Sequence, residues 1–128
     1  MSDRRSIEPE GLAHPGLPIP AASRVGPLLA TGGIRGVDRA TGQMPSDIEA
    51  QVRLMFANLK TIVEEGGGDL SAVAKINVWV AAPEHRAALN PVWVEYFPDP
   101  ASRPARHTLV YDLPGGMLVQ CDALAWIG

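Results

Sequence analysis

The stretch 46-SDIEAQVRLMFANLKTIVEEGGG-68 is the strongest secondary-structure signal in this chain of 128 residues. Ser46, followed three residues later by Glu49, forms a capping box that predicts the start of a helix, and Gly66 predicts its end. Apolar side chains recur at intervals of three and four residues: Ile48, Val52, Met55, Phe56, Leu59, Ile62 and Val63. Such a helix buries one face, so the flanking segments must supply a layer for it to pack against.

The residues after this helix predict a strand and a second helix. In residues 74–82, AKINVWVAA, apolar and polar positions alternate, which is the period of a strand with one face in the core. Residues 83–97, PEHRAALNPVWVEYF, begin with a proline that suits the first turn of a helix. Pro91 removes a backbone hydrogen bond inside that helix, so we expect a kink or a split there.

The residues before the first helix predict a short arm and a hairpin. Prolines spread through residues 1–27 forbid a helix and permit only short extended pieces, such as one around Ser6 and Ile7. Residues 28–34, LLATGGI, predict a buried strand, and residues 35–45 have the glycine and aspartate positions of a turn and a return segment. We expect these two segments to form a β-hairpin.

Two more strands, residues 106–113 and 117–127, are predicted around the turn Pro-Gly-Gly near the C-terminus. The element order β, β, α, β, α, β, β predicts an α+β fold, with two helices on one face of a mostly antiparallel or mixed sheet.

The last strand has two different faces. Its side chains toward the helices are Met117, Val119, Cys121, Ala123 and Ala125, and those on the other face are Leu118, Gln120, Asp122, Leu124 and Trp126. The second face mixes large apolar groups with polar ones. We therefore expect a second subunit to cover it in a closed cyclic oligomer.

The composition is that of one globular domain over residues 1–128, with residues 1–27 as a proline-rich arm. Hydrophobic residues make up 46% of the chain and charged residues 20%. The net charge of −3 gives no excess of positive charge with which to bind phosphate groups, so we expect no nucleic-acid partner. A single cysteine, no leader-like apolar start and no apolar run of membrane-spanning length predict a cytoplasmic protein without a membrane partner.

Taken together, several short motifs resemble the Rid family, the YjgF-type enamine and imine deaminases. They are TGGI (31–34), the long segment from ATGQMPSD to IVEEGG (40–67), DLSAVAKINVWVA (69–81), NPVWVEYF (90–97), RPAR (103–106) and LPGGMLVQCDALA (113–125). The resemblance implies a chorismate-mutase-like α+β fold assembled as a homotrimer, with ligand clefts between neighbouring subunits. It also implies hydrolysis of 2-imino or 2-enamino acids to 2-keto acids and ammonia, with no metal or cofactor.

Arg106 is the first candidate site residue. Pro104 stiffens its approach, and a planar guanidinium suits a carboxylate in bidentate fashion. The resemblance implies that this arginine of the PAR motif binds the substrate carboxylate. Arg103 is taken as structural.

Three further residues are candidates for substrate binding. Gly32 matches a family glycine whose backbone approaches the ligand, although a glycine at a strand end accounts for it equally well. Thr108 shares a strand face with Arg106 and has a hydroxyl to offer. Asn90 matches an asparagine near the family cleft, but satisfying backbone groups freed by Pro91 is the role we favour.

Gln120 departs from the resemblance. Many members of the family have a glutamate here that helps to orient or activate the attacking water, and an amide cannot act as a general base. Asp122 lies on the same face two residues later and is the nearest replacement, although a structural carboxylate at a subunit contact is as good an account of it.

Two further departures affect the pocket. GLPIPAAS (16–23) lacks the aromatic residue of the family's Gly-Pro-Tyr motif, and the segment from Arg106 to Leu113 is one residue shorter than in typical members. We assign His107 to packing on the other side of its strand and Cys121 to the buried face. His14 and His85 have no partners at metal-ligand spacing.

The sequence leaves several functions open. The first is a deaminase of small 2-imino or 2-enamino acids, and a variant of it acts on a larger enamine such as 2-aminomuconate. The second is a trimeric protein that binds a keto acid or similar anion without turnover, which the loss of the glutamate favours. A ribonuclease ranks last because the chain is acidic.

Overall fold

In residues 3–14 and 16–128, which the computed structural model describes, two α-helices pack on one face of a seven-stranded mixed sheet. The predicted α+β class is confirmed. The strand order is β1-β2-β3-β7-β5-β6, with β4 also paired to β7. The elements are β1 (Arg5–Ile7), β2 (Ala22–Val25), β3 (Leu28–Thr31), β4 (Ile34–Arg35), α1 (Ile48–Glu65), β5 (Val73–Val80), α2 (Arg86–Tyr96), β6 (Ala105–Val110) and β7 (Val119–Trp126).

The two C-terminal strands do not pair with each other. β5 lies between them, parallel to β6 and antiparallel to β7. The parallel pairing follows from the connection, because the chain leaves β5, passes through α2 and returns to the sheet in the same direction. As a result β6 is an edge strand next to α2.

The start of α1 differs from the prediction by one residue. Asp47, not Ser46, is the N-cap: its backbone is extended and its carboxylate accepts a hydrogen bond from the Ala50 N–H at 3.0 Å. A carboxylate also interacts favourably with the positive end of the helix dipole. The predicted end at Gly66 is confirmed.

The buried face of α1 contains two polar side chains that its apolar pattern did not indicate. Asn58 donates to the carbonyls of Arg35 and Val37, and Gln51 donates to the carbonyls of Pro45 and Gly116. These amides satisfy buried backbone groups in the loops on either side of the helix.

The hairpin expected over residues 28–45 is wrong. The first segment is interrupted by Gly32 and its neighbour, so that it forms β3 and β4, and residues 36–45 form no strand. The backbone there packs on α1 instead: a Cβ added to Gly36 would lie 2.2 Å from the Gln51 carbonyl oxygen. The observed hairpin lies earlier, where β2 pairs with β3 around Gly26, whose φ is +56°.

The split expected at Pro91 is also wrong. α2 runs without interruption from Arg86 to Tyr96 and follows a short 3₁₀ turn at Pro83–His85. Pro91 leaves the carbonyl of Ala87 without its helical partner, and Ala87 is exposed to water.

The predicted arm contains two strands, β1 near the predicted position and β2, which was not predicted. Arg24 of β2 crosses to the end of α1, where its Nη1 donates to the Gly66 carbonyl at 2.6 Å. Since the last turn of α1 contains no basic residue, the arm supplies the positive charge that this helix end favours.

The two faces of the sheet differ in cover, as the last strand predicts. Val119, Cys121, Ala123 and Ala125 are buried beneath the helices. On the other face, Trp126 is 64% exposed, and Val25, Leu28 and Leu124 are each exposed by more than two fifths. Pairing places Leu28 beside both Val25 and Trp126, so these four side chains form one open-face patch. Among the described residues, no helix is long and apolar enough to cross a membrane.

Candidate functional site

Arg106 lies on the helix-covered side of the sheet, at its edge. In the β5–β6 pairing Arg106 is opposite Ile76 and Thr108 is opposite Val78, and both of these β5 side chains are fully buried beneath the helices. Paired residues share a face, so Arg106 and Thr108 point toward α2. His107 points to the opposite face, as its place in the strand predicts.

The guanidinium of Arg106 is held by two residues of α2. Its Nη2 donates to Asn90 Oδ1 at 2.8 Å, and its Cζ lies 4.8 Å from the centre of the Trp93 ring. Its Nη1 is buried and has no hydrogen-bond partner within the described residues. We call Arg106, Asn90 and Trp93 the arginine site.

The charge of this arginine has no counter-ion in residues 3–14 and 16–128, where the two ion pairs are Arg53–Glu95 and Lys60–Glu64. Burial lowers the pKa of the Arg106 guanidinium, yet arginine keeps its charge at neutral pH. A buried donor without an acceptor is costly, so an acceptor group that reached Nη1 would remove that cost.

The sequence did not indicate Trp93. Asn90 and Trp93 are three residues apart on α2 and therefore share a face, and this spacing is the signal that could have found it. The contact of Asn90 with Arg106 also differs from the backbone role that we favoured for it.

The other candidates near Arg106 contribute less to its position. The Thr108 carbonyl lies 3.4 Å from Nη2 of Arg86, and the Thr108 side chain is half-buried. Arg103 donates to the carbonyls of Phe97 and Pro98, which agrees with its assignment as structural. A cavity of about 350 Å³ lies beside Arg103 and contains none of the predicted site residues.

Gly32 uses both of its backbone groups within the chain. Its N–H donates to the Ala21 carbonyl at 2.8 Å, and its carbonyl accepts from the Thr31 hydroxyl. The neighbouring Gly33 is the glycine that faces Gln120, because an added Cβ would lie 2.2 Å from Gln120 Nε2. A ligand contact at Gly32 remains a prediction.

Gln120 and Asp122 lie together on the open face, as the period of the strand predicts. They border a groove of about 270 Å³ that Gly33, Trp79 and Tyr111 also line. Asp122 Oδ1 accepts a hydrogen bond from Asn77 Nδ2 at 3.0 Å, and Asn77 is its cross-strand partner on β5. We call this site the glutamine groove.

The arginine site and the glutamine groove therefore lie on opposite faces of the same sheet. Arg106 points toward α2, whereas Gln120 and Asp122 point away from both helices. One chain does not bring the predicted catalytic residues together, so a shared cleft requires groups from two copies.

The cysteine and the histidines indicate no separate reactive centre. Cys121 is fully buried, as predicted, and burial raises the pKa of its thiol, so the unreactive neutral form is favoured. Among the described residues, no three His, Cys, Asp or Glu side chains lie close enough together to hold a metal ion.

Comparison with known proteins identifies the family. Residues 19–127 match the family model described as Endoribonuclease L-PSP, which is the YjgF/Rid family. The chain belongs to the Rid family.

Two curated relatives and a solved structure agree with this assignment. A RutC family protein of Pyrococcus abyssi is 33% identical to this Rid-family chain over 111 residues, covering 85% of this chain and 86% of that protein. The 2-iminobutanoate/2-iminopropanoate deaminase of Dermatophagoides farinae is 30% identical over 129 residues, covering 99% of each. The crystal structure of RidA from an Antarctic Psychrobacter has a TM-score of 0.88 and 29% identity, covering 96% of this chain and 99% of that one.

Proposed function

We propose that this Rid-family chain is a hydrolytic deaminase of reactive 2-imino and 2-enamino acids, such as 2-iminobutanoate and 2-aminoacrylate. The observation that carries the proposal is the arginine site, where a guanidinium is fixed by Asn90 and Trp93 but has no carboxylate partner within the described residues. A relative named as a 2-iminobutanoate/2-iminopropanoate deaminase supports the same substrate class.

The reaction is a net exchange of nitrogen for oxygen. An enamine first tautomerises to the imine, and water then adds to C2 while the C=N electrons move to nitrogen, which takes up a proton. The amino group of this intermediate then takes up a second proton and the C–N bond breaks, so that its electrons leave with ammonia. The hydroxyl group gives up its proton as the C=O bond of the 2-keto acid forms, which balances the proton taken up by nitrogen. Arg106 holds the substrate carboxylate through these steps and fixes C2 relative to the incoming water.

The cleft is proposed to lie between subunits of a homotrimer. The arginine site and the glutamine groove lie on opposite faces of one chain, so Arg106 of one copy would meet the groove of a neighbouring copy. The open-face patch around Trp126 supplies apolar surface that such a contact would bury.

Water activation in this cleft cannot use Gln120 as a base. Its amide oxygen can accept a hydrogen bond and orient the water, while the proton passes to the substrate nitrogen or to Asp122. Asp122 uses one oxygen to accept from Asn77, and the remaining acceptor capacity of the carboxylate is open to a water.

A second candidate is a keto-acid binding protein without turnover. One observation favours it: Gln120, which faces Gly33 in the glutamine groove, is an amide and not a carboxylate. Both candidates use Arg106 to hold an anion, so only a measurement of turnover separates them.

The test is keto-acid release above the spontaneous rate, with a pyridoxal-phosphate dehydratase generating 2-aminoacrylate or 2-iminobutanoate in the assay. Arg106→Ala should lower kcat/KM by about 100-fold, because it removes a charge-assisted contact with the substrate. Arg86→Ala, which removes an exposed arginine from the same edge, is the matched control and should leave the rate unchanged.

The outcomes separate the alternatives. No acceleration by the wild-type protein, together with binding of 2-oxobutanoate that needs Arg106, would favour the binding protein. Acceleration only with 2-aminomuconate would assign the larger enamine. Acceleration that survives Arg106→Ala would remove the arginine site from the mechanism.

A further inference from the structure

Trp93 contacts the functional arginine from the core side. The residue is 8% exposed, and Cζ of the Arg106 guanidinium lies over the indole ring at 4.8 Å from its centre. Asn90 contacts one edge of the same guanidinium through Nη2. The hydrogen bond from Nη2 to Asn90 alone would leave the guanidinium plane free to tilt. The Trp93 ring beneath the guanidinium restricts that tilt.

The orientation of Trp93 is itself fixed by other aromatic residues. Phe97 packs against it with ring centres 4.7 Å apart, and Phe56 of α1 meets it in an edge-to-face arrangement at 6.1 Å. Phe56 also stacks on Tyr96 at 5.5 Å. These contacts hold the indole from the core side, so its plane is set before any ligand arrives.

We propose that Trp93 is a positioning residue that fixes the plane of the Arg106 guanidinium for carboxylate binding. This inference rests on the proposed function, in which Arg106 holds the substrate carboxylate. Asn90 occupies Nη2 and Trp93 lies against the guanidinium, so the side chain is fixed within its own chain, while Nη1 is buried and has no partner among the described residues. A guanidinium held in this way loses little freedom when it binds.

The test compares two substitutions that both shorten this side chain. Trp93→Phe retains an aromatic face beneath Arg106, whereas Trp93→Leu retains apolar character without one. Both leave space in the core and should lower Tm. Trp93→Leu should raise KM by about 3- to 30-fold with kcat nearly unchanged, and Trp93→Phe should restore KM to within about 3-fold of wild type.

A second measurement is independent of turnover. In arginine ¹⁵N spectra, the Arg106 Nε–H signal, assigned by its loss in Arg106→Lys, should show a ring-current shift and slow exchange. Trp93→Leu should remove both features, and Trp93→Phe should keep the slow exchange.

These readouts distinguish positioning from packing. An Nε–H signal unchanged in Trp93→Leu, or a KM that follows Tm equally in both variants, would overturn the proposal. If the wild-type protein neither turns over imines nor binds 2-oxobutanoate, the proposed function fails. The ¹⁵N spectra then decide by themselves whether Trp93 orients Arg106.

Discussion

On the helix-covered face, Arg106 is contacted by Asn90 and Trp93 of its own chain, and Trp93 is backed by aromatic residues of both helices. On the open face, Gln120 and Asp122 border a groove beside Tyr111, which is 61% exposed. The first region is formed by contacts within one chain, whereas the second is a groove on the face that the helices do not cover. Folding of one chain can therefore prepare the arginine site, whereas the water-handling half of the proposed cleft would depend on the proposed trimer.

Two glycines show the same contrast at close range. A Cβ at Gly36 would meet the backbone of Gln51 in α1, at 2.2 Å from its carbonyl oxygen. A Cβ at Gly33 would come equally close to Nε2 of Gln120, which is the free end of a flexible side chain. The Gln51 backbone on the covered face cannot move aside for an added methyl group, because it is part of the packed helix. The Gln120 side chain on the open face can move aside by changing its rotamer.

The largest effect is expected from Gly36→Ala. The new methyl group must push α1 away from the loop after β4, so we expect a loss of about 3 kcal/mol in the free energy of unfolding. Urea denaturation followed by circular dichroism measures it. Gly33→Ala is the matched control and should cost less than about 1 kcal/mol, because only the Gln120 amide has to move. Equal losses in the two variants would contradict the contrast between the faces.

A smaller effect is expected from Trp126→Glu in the open-face patch. The side chain is exposed in the single chain, so the fold should persist while the proposed trimer weakens. Desolvating a glutamate in a subunit contact should raise the dissociation midpoint by roughly 100-fold in protein concentration. Sedimentation velocity measures it, with Glu84→Gln, an exposed change near the start of α2, as the control. An unchanged midpoint would show that this patch lies outside the interface.

The smallest effect is expected from Asp122→Asn. If Asp122 accepts the proton that Gln120 cannot, the substitution should lower kcat by about 10-fold with little change in KM. Asn77→Ala removes the hydrogen-bond partner of Asp122 and should preserve most of the rate because the carboxylate remains. Steady-state kinetics with 2-iminobutanoate measures both variants. An unaffected rate in Asp122→Asn would leave the substrate nitrogen as the proton acceptor.

Elements with strong periodicity could be predicted from the sequence. α1, β5 and β7 were placed correctly because their apolar positions follow a single period over eight or more residues. The wrong prediction of a hairpin over residues 28–45 could not have been avoided by inspecting the local sequence pattern. Asn58 donates to the Arg35 and Val37 carbonyls from a helix more than twenty residues later in the chain, and a contact of that kind cannot be deduced from residues 28–45 alone.

Some features of the candidate site could likewise be predicted from the sequence, and others could not. The shared face of Gln120 and Asp122 follows from strand alternation alone, and the family motif led to Arg106 and Asn90. That Arg106 faces away from Gln120 depends on the parallel register of β6 against β5, which no local pattern encodes. Trp93 was missed because an aromatic residue on the buried side of a helix resembles an ordinary core residue, and only its spacing of three residues from Asn90 links it to the site.

The hydrogen bond from Arg24 to the Gly66 carbonyl has a consequence for how the molecule opens. It joins the first hairpin to the last turn of α1 across a sequence separation of 42 residues. Arg5 of β1 donates to the same carbonyl at 3.5 Å, so fraying of the hairpin together with β1 would remove both cations from the negative end of the helix and expose the Gly66 carbonyl. We therefore expect the two segments to open together in local unfolding, with their amide hydrogens exchanging with solvent at similar rates.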